Sequence, residues 1–181
     1  MGARRLAVLV LAFVASCGPL YGGKPDKLRN PTKKKPPPEA EVVAAPIPWD
    51  DECSAKFQEK PRVGVPNKAL ASPLVATGDQ TMSSSTKAPD PKAQAQLILE
   101  ALSKYKAALD KDWYNAEATY GLAVAYAKLL KKGCALALLK RLASLEGNPK
   151  YANDARRMID QALGDNAFKG FKKDAEAAMG K

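Results

Sequence analysis

The chain has 181 residues, 29 Lys and Arg against 19 Asp and Glu, no His, 14 Pro and 3 Cys, for a net charge of +10. Without His there is no Ser-His-Asp triad, no Cys-His dyad and no imidazole metal site. Three Cys without CxxC spacing exclude a zinc ribbon and a thioredoxin-type redox pair. The motifs GxxxxGK and GxGxxG are absent, so no Gly-rich phosphate loop is present. The expectation is a protein that is not an enzyme and carries no metal, cofactor or small-molecule substrate. The composition divides the chain into a targeting segment (1–16), a Pro-rich, largely disordered tether (17–89) and a helical domain (90–181).

In the targeting segment, Arg4 and Arg5 precede an uncharged apolar run from Leu6 to Ala15. Ten residues are too few to cross a bilayer as a helix, which needs about 20, but they suit the apolar core of an export signal. Val14-Ala15-Ser16-Cys17 follows, and this segment resembles the lipobox of bacterial lipoproteins. The resemblance implies cleavage before Cys17, a diacylglyceryl group on its thiol and an acyl chain on the new amino terminus. Two or more acyl chains anchor stably. Gly18, in place of the Asp that retains such proteins in the inner membrane, implies an outer-membrane address facing the periplasm.

Thirteen of the 14 Pro fall between Pro19 and Pro91. Each lacks an N–H and restrains its predecessor, so helices and central strands are not expected there. Lys24, Lys27, Arg29, Lys33, Lys34 and Lys35 stand against Asp26 beside the anchor. This run suits contact with anionic headgroups, or simply a solvated spacer. It lacks the interleaved aromatics of a nucleic-acid site, and export argues against that partner. Pro36-Pro37-Pro38 reads as polyproline II and residues 78–88 as flexible linker. Residues 47–57 differ, because Trp49, Cys53 and Phe57 repeat every four residues. They predict a short helix capped by Asp50 that docks on the helical domain.

Asp90-Pro91 opens the helical domain with an N-cap and a Pro at the first helical position. The first helix, about Pro91 to Asp110, buries Leu97, Ala101, Leu102, Tyr105, Ala108 and Leu109. Asn115 caps the second, about Ala116 to Leu130, with Ala118, Leu122, Ala123, Tyr126 and Leu129 inward. Lys131-Lys132-Gly133 is the turn. The third runs from about Cys134 to Leu145, with Ala135, Leu138, Leu139 and Leu142 inward. Asn148-Pro149 starts a fourth that ends near Gly164. The last, about Asn166 to Met179, buries Phe168, Phe171, Ala175 and Met179. The fold class is therefore all-α, with about five helices.

A shift of 34 residues lays Ala101 on Ala135, Leu102 on Leu136, Tyr105 on Leu139 and Lys106 on Lys140. That period in helix pairs points to one repeat class. Residues 116–149 resemble a tetratricopeptide repeat: Leu122, Tyr126, Ala135 and Leu139 hold its inward positions, while Thr119, Ala123 and Leu142 depart from its pattern. The resemblance implies a short helix-pair stack that binds extended or helical segments of other proteins on the face formed by the first helix of each pair. Carried onto this chain, the exposed positions of that face are Glu117, Tyr120, Val124, Ala127 and Lys128. Arg156 and Arg157 on the next helix would favour an acidic partner.

With Cys17 lipidated, Cys53 and Cys134 remain. In an oxidising compartment they are expected to pair; the alternative is two separate small core residues. Two functional classes stay open. One is a membrane-anchored envelope adaptor or assembly factor that recruits another envelope protein. The other is a structural envelope lipoprotein whose basic surface, with 16 basic and 10 acidic residues in 92–181, contacts anionic wall polymer or headgroups.

Overall fold

The computed structural model describes residues 50–55 and 65–181. The signal segment, Cys17, the basic run beside it, Trp49 and Phe57 lie outside the described residues. Within them the fold is all-α, a stack of helices with no strand. The elements are α1 (Lys68–Ser85), α2 (Pro91–Lys111), α3 (Ala116–Lys128), α4 (Lys132–Glu146), α5 (Ala152–Gly164), a 3-10 segment (Asn166–Phe171) and α6 (Lys172–Ala178).

The helical unit starts at Lys68, not at residue 90. Residues 68–85, expected to be tether and linker, form α1. Asn67 caps it by accepting the Leu70 N–H at 3.1 Å. The hydroxyls that made the segment read as linker turn back onto their own helix. Ser72 donates to the Lys68 carbonyl, Thr77 to Pro73, Thr81 to Thr77 and Ser84 to Gln80. Such back-bonding satisfies the hydroxyls but contributes little to the helix. Pro73 lies near its start and has no N–H to give the carbonyl of exposed Ala69, four residues earlier. Packing must therefore hold α1, and it lies along α2 with Ala71, Val75, Gly78 and Ser85 buried.

The remaining helices follow the sequence pattern more closely. Asp90 accepts the Ala93 N–H at 2.8 Å and opens α2; Asn115 accepts the Ala118 N–H at 2.8 Å and opens α3. Two boundaries differ from expectation. The helix α4 begins at Lys132, so Gly133 lies in its first turn rather than in a loop. Helix α5 begins at Ala152, because Asn148 spends its carbonyl and side chain on the turn over Lys150 and Tyr151. The last expected helix is broken into the 3-10 segment and α6.

Helices α1 and α2 pack as one pair and α3 and α4 as another; α5 lies against α3 and α4, and α6 lies against α4 and the 3-10 segment rather than back on α5. The two pairs join through α2 on α3, while α1, α3 and α5 lie side by side. Most of the expected inward residues, among them Ala101, Leu102, Tyr105, Leu122, Tyr126, Ala135, Leu138, Leu139, Leu142, Phe168, Phe171 and Met179, are buried; Leu97, Leu109 and Leu129 are only half-buried, and on α2 Ile98 takes the buried place expected of Leu97.

Tyr105 is the joint between the two pairs. Its ring is 1% exposed and lies against the bare backbone of Gly78 on α1 and Gly121 on α3. A Cβ at those positions would sit 2.7 and 2.5 Å from the ring's Cε1, inside any real carbon contact. The glycines are there because the ring leaves no room for a side chain.

Residues 50–55 dock on the start of α4, as expected, but without forming a helix. The chain leaves α3 through Leu130, whose positive φ of 59° is unusual for a non-glycine residue. Lys131 N–H bonds the Tyr126 carbonyl and Leu130 N–H the Ala127 carbonyl, a Schellman closure. Asp50 N–H then donates to the Leu130 carbonyl at 2.8 Å, and Gly133 N–H donates to the Asp50 carbonyl at 3.1 Å. Asp50 does not cap a helix; its carboxylate accepts the Glu52 N–H and pairs with Lys131. Cys53 and Cys134 are joined by a disulfide.

Candidate partner-binding face

Helices α1, α3 and α5 lie side by side and form the face that carries the partner contacts the sequence placed on α3 and α5. Most of those side chains are engaged within the fold. Glu117 and Arg157 form an ion pair at 2.6 Å that ties α3 to α5. Arg157 also lies 3.6 Å from Asp154, and Arg156 pairs with Glu146 at 3.0 Å. The two arginines thus face carboxylates of their own chain and give no preference for an acidic partner. The half-buried Tyr120 donates its hydroxyl to Asp165 at 2.5 Å. Val124 and Ala127, expected to be exposed, are buried. The cause is the position of α3, which packs against α1, α2, α4, α5 and the 3-10 segment and has little open circumference. Lys128 is exposed.

Two phenols on this side of the fold have raised pKa values. Burial is the main cause for Tyr105, followed by its 2.7 Å hydrogen bond to Asp79. Burial is also the main cause for Tyr120, followed by Asp165. The Asp79 charge reaches both rings, so the two phenol–carboxylate pairs form one neighbourhood across α1, α2, α3 and the end of α5. The sign of the linkage follows. Both phenols keep their protons in the fold at a pH where unfolded tyrosine ionises, near 10. Their contribution is complete below about pH 10 and is lost as pH rises above it. In a titration of absorbance at 295 nm, Tyr105 and Tyr120 should ionise only with loss of the helical circular dichroism signal. Ionisation of all six tyrosines near pH 10 with the helix signal intact would contradict this.

One end of the face is hollow. A cleft of about 210 Å³ is lined by Pro66, Lys68, Asp112, Tyr114, Asn115, Ala116, Glu117, Lys150, Tyr151 and Asp154. It lies where α1, α3 and α5 all begin. Tyr114 and Tyr151 stack there, with centroids 4.7 Å apart and planes 21° apart. Lys150 Nζ lies 5.4 Å from the Tyr151 centroid, and Lys68 bridges to Asp154 at 3.1 Å. Of the residues expected to meet a partner, only Glu117 lines this cleft. The others came from no periodic pattern: Asp112 and Tyr114 lie in the α2–α3 turn and Tyr151 in the α4–α5 turn. Among the described residues no group of acidic or Cys side chains is arranged to hold a metal ion, and no helix is long and apolar enough to cross a membrane.

No protein-family model, curated protein or solved structure matches the chain.

Proposed function

We propose that this chain is a lipid-anchored protein of the bacterial envelope that acts as an adaptor or assembly factor. In this reading Cys17 carries the lipid, the Pro-rich segment spaces the helical unit from the outer membrane, and a tetratricopeptide-like stack captures a segment of another envelope protein. The lipobox residues Val14 to Cys17 carry the location. The carrying observation for binding is the tyrosine-lined cleft at the shared start of α1, α3 and α5. Stacked tyrosines offer rigid apolar area with polar rims, the chemistry enriched at protein interfaces. A volume of about 210 Å³ is below the roughly 300–1,000 Å³ of small-molecule sites and suits one side chain of a docked segment.

The test is crosslinking in intact envelopes followed by capture and mass spectrometry. Tyr151→Ala, which removes one of the stacked rings of the cleft, should weaken capture of the partner by about 1–2 kcal/mol, the scale of an interface anchor. Tyr120 lies outside the cleft with its hydroxyl held by Asp165, so Tyr120→Phe, which removes only that bond, should leave capture unchanged. Neutralising Lys33, Lys34 and Lys35 should leave capture unchanged. The competing reading, a structural lipoprotein held by its basic surface, predicts the reverse: silent tyrosine variants, decisive lysine variants and steep loss of binding with salt.

A further inference from the structure

The cleft contains a carboxylate with no counter-ion. Asp112 is 6% exposed, and buried charges are normally paired. Among the described residues it makes no ion pair. Its oxygens accept only two long hydrogen bonds from neutral donors, the Tyr114 N–H and the Asn115 side-chain amide, each at 3.3 Å. The other carboxylates of the cleft are satisfied by cations: Glu117 by Arg157, and Asp154 by Lys68 and Arg157. Beside Asp112 lie the stacked rings of Tyr114 and Tyr151; the cleft's own Lys150 has its Nζ 5.4 Å from the Tyr151 centroid and forms no ion pair with Asp112. A carboxylate that needs a cation, next to aromatic surface and space for one side chain, is the chemistry that takes up a long cationic side chain. The aliphatic stem lies along the rings and the charged head meets the acid.

We infer that the cleft is the pocket for an Arg or Lys side chain of the partner's docked segment, with Asp112 as the charge that receives it. This rests on the adaptor reading and deepens it. It also gives the partner a sign: the captured segment is basic at its anchor residue, although the chain that captures it is itself strongly basic. That contrast works against non-specific capture of cationic segments, because the long-range field repels them. Only a segment that reaches Asp112 is rewarded.

The experiment titrates N-acetyl-arginine amide into the full-length, isotope-labelled chain in detergent micelles and follows amide shifts by NMR. N-acetyl-citrulline amide, which keeps the shape and loses the charge, is the control. Saturable shifts at Asp112, Tyr114 and Tyr151 with arginine and none with citrulline are expected. Asp112→Asn should weaken binding at least about tenfold, the scale of one charge-assisted hydrogen bond. If Asp112→Asn perturbs the fold by circular dichroism, Tyr151→Leu carries the same test through loss of the stem contact. Equal shifts with citrulline, shifts spread over every exposed acid, or an unaltered Asp112→Asn titration would overturn the inference. So would binding that tightens at least tenfold when Lys150 is replaced by Gln, since the chain's own lysine would then be the occupant. Envelope capture is read separately. Arginine binding without partner capture would sink the adaptor reading and leave the pocket. Capture that survives Asp112→Asn would leave the adaptor and sink the pocket's role in it.

Discussion

Tyr105→Ala should be among the most damaging single substitutions in this chain, costing about 3–5 kcal/mol in urea unfolding, the range for a buried aromatic truncated to Ala. Against a typical total of about 5–15 kcal/mol, that is a large share. The reason is what surrounds the ring. Gly78 and Gly121 flank it with bare backbone, and a glycine has no side chain that can relax into the vacated space. Tyr105→Phe keeps the ring and loses only the bond to Asp79. Since Asp79 is exposed, its carboxylate returns to water, and the cost should be no more than about 1 kcal/mol. Gly121→Ala should cost about 1–3 kcal/mol by overpacking. The decisive measurement is the double variant. If the ring is why residue 121 must be glycine, Gly121→Ala should be far milder in a Tyr105→Ala background, because the two positions share one space. Equal costs in both backgrounds would mean that Gly121 is needed for some other reason.

How much of this was legible in the sequence depends on whether a contact is made by a periodic face. The stripes of α2, α3 and α4 and the aromatic residues after α5 were readable, because Leu, Ala and Tyr recur at helical spacing and the caps at Asp90 and Asn115 are local. Helix α1 was not. Its buried residues are Ala71, Val75, Gly78 and Ser85, too small and polar to register as an apolar stripe. Pro73 and five hydroxyl residues from Thr77 to Ser85 pointed to linker. Only the partner helix α2, with Tyr105 seeking a glycine to pack on, gives residues 68–85 a reason to be helical. Ala123 departs from the repeat pattern that residues 116–149 resemble, and on α3 the close approach to the Tyr105 ring occurs at Gly121.

The site was read least well, for a related reason. Val124 was placed on an open face by carrying the repeat's exposed positions onto α3. With α1 and the 3-10 segment also against it, the face narrows to Glu117, the edge of Tyr120 and Lys128. The cleft is assembled from two turns and three helix starts, and no spacing rule links Asp112, Tyr114 and Tyr151. A signal was present: three successive residues, Asp112, Trp113 and Tyr114, combine a carboxylate with two aromatics in a turn, more than a cap requires.

Removing the disulfide should have the other large effect, and a localised one. Cys53 and Cys134 are 81 residues apart, a loop for which the chain-entropy model gives about 4–5 kcal/mol and for which about 2–4 is typical of measured bridges. Cys53→Ala with Cys134→Ala should therefore lower stability by about 2–4 kcal/mol. The helices should persist, because Leu122, Tyr126, Ala135 and Leu139 are buried in the core they share with their neighbours. What should come loose is the strap at 50–55. Apart from the disulfide it is held by two backbone hydrogen bonds to Leu130 and Gly133 and by pairs of Asp50 with Lys131 and Asp51 with Lys132. Those ion pairs face solvent and are screened by salt. Its seat also depends on Gly133, where a Cβ would lie 2.1 Å from the Asp51 carbonyl oxygen, so Gly133→Ala should displace the strap even with the disulfide intact. Hydrogen exchange separates these outcomes. In the double Cys variant the amides of Asp50 and Gly133 should lose protection while those in the centres of α3 and α4 keep it at a level reduced by the global change. Modification of both thiols in the unreduced, denatured wild type would show that the bridge does not form, and equal loss of protection throughout would show that the strap is not a separate unit. A strap that stays protected without its disulfide would mean that the two backbone bonds at Leu130 and Gly133 suffice, and that the left-handed turn at Leu130, which aims its carbonyl at Asp50, is the true anchor of the segment.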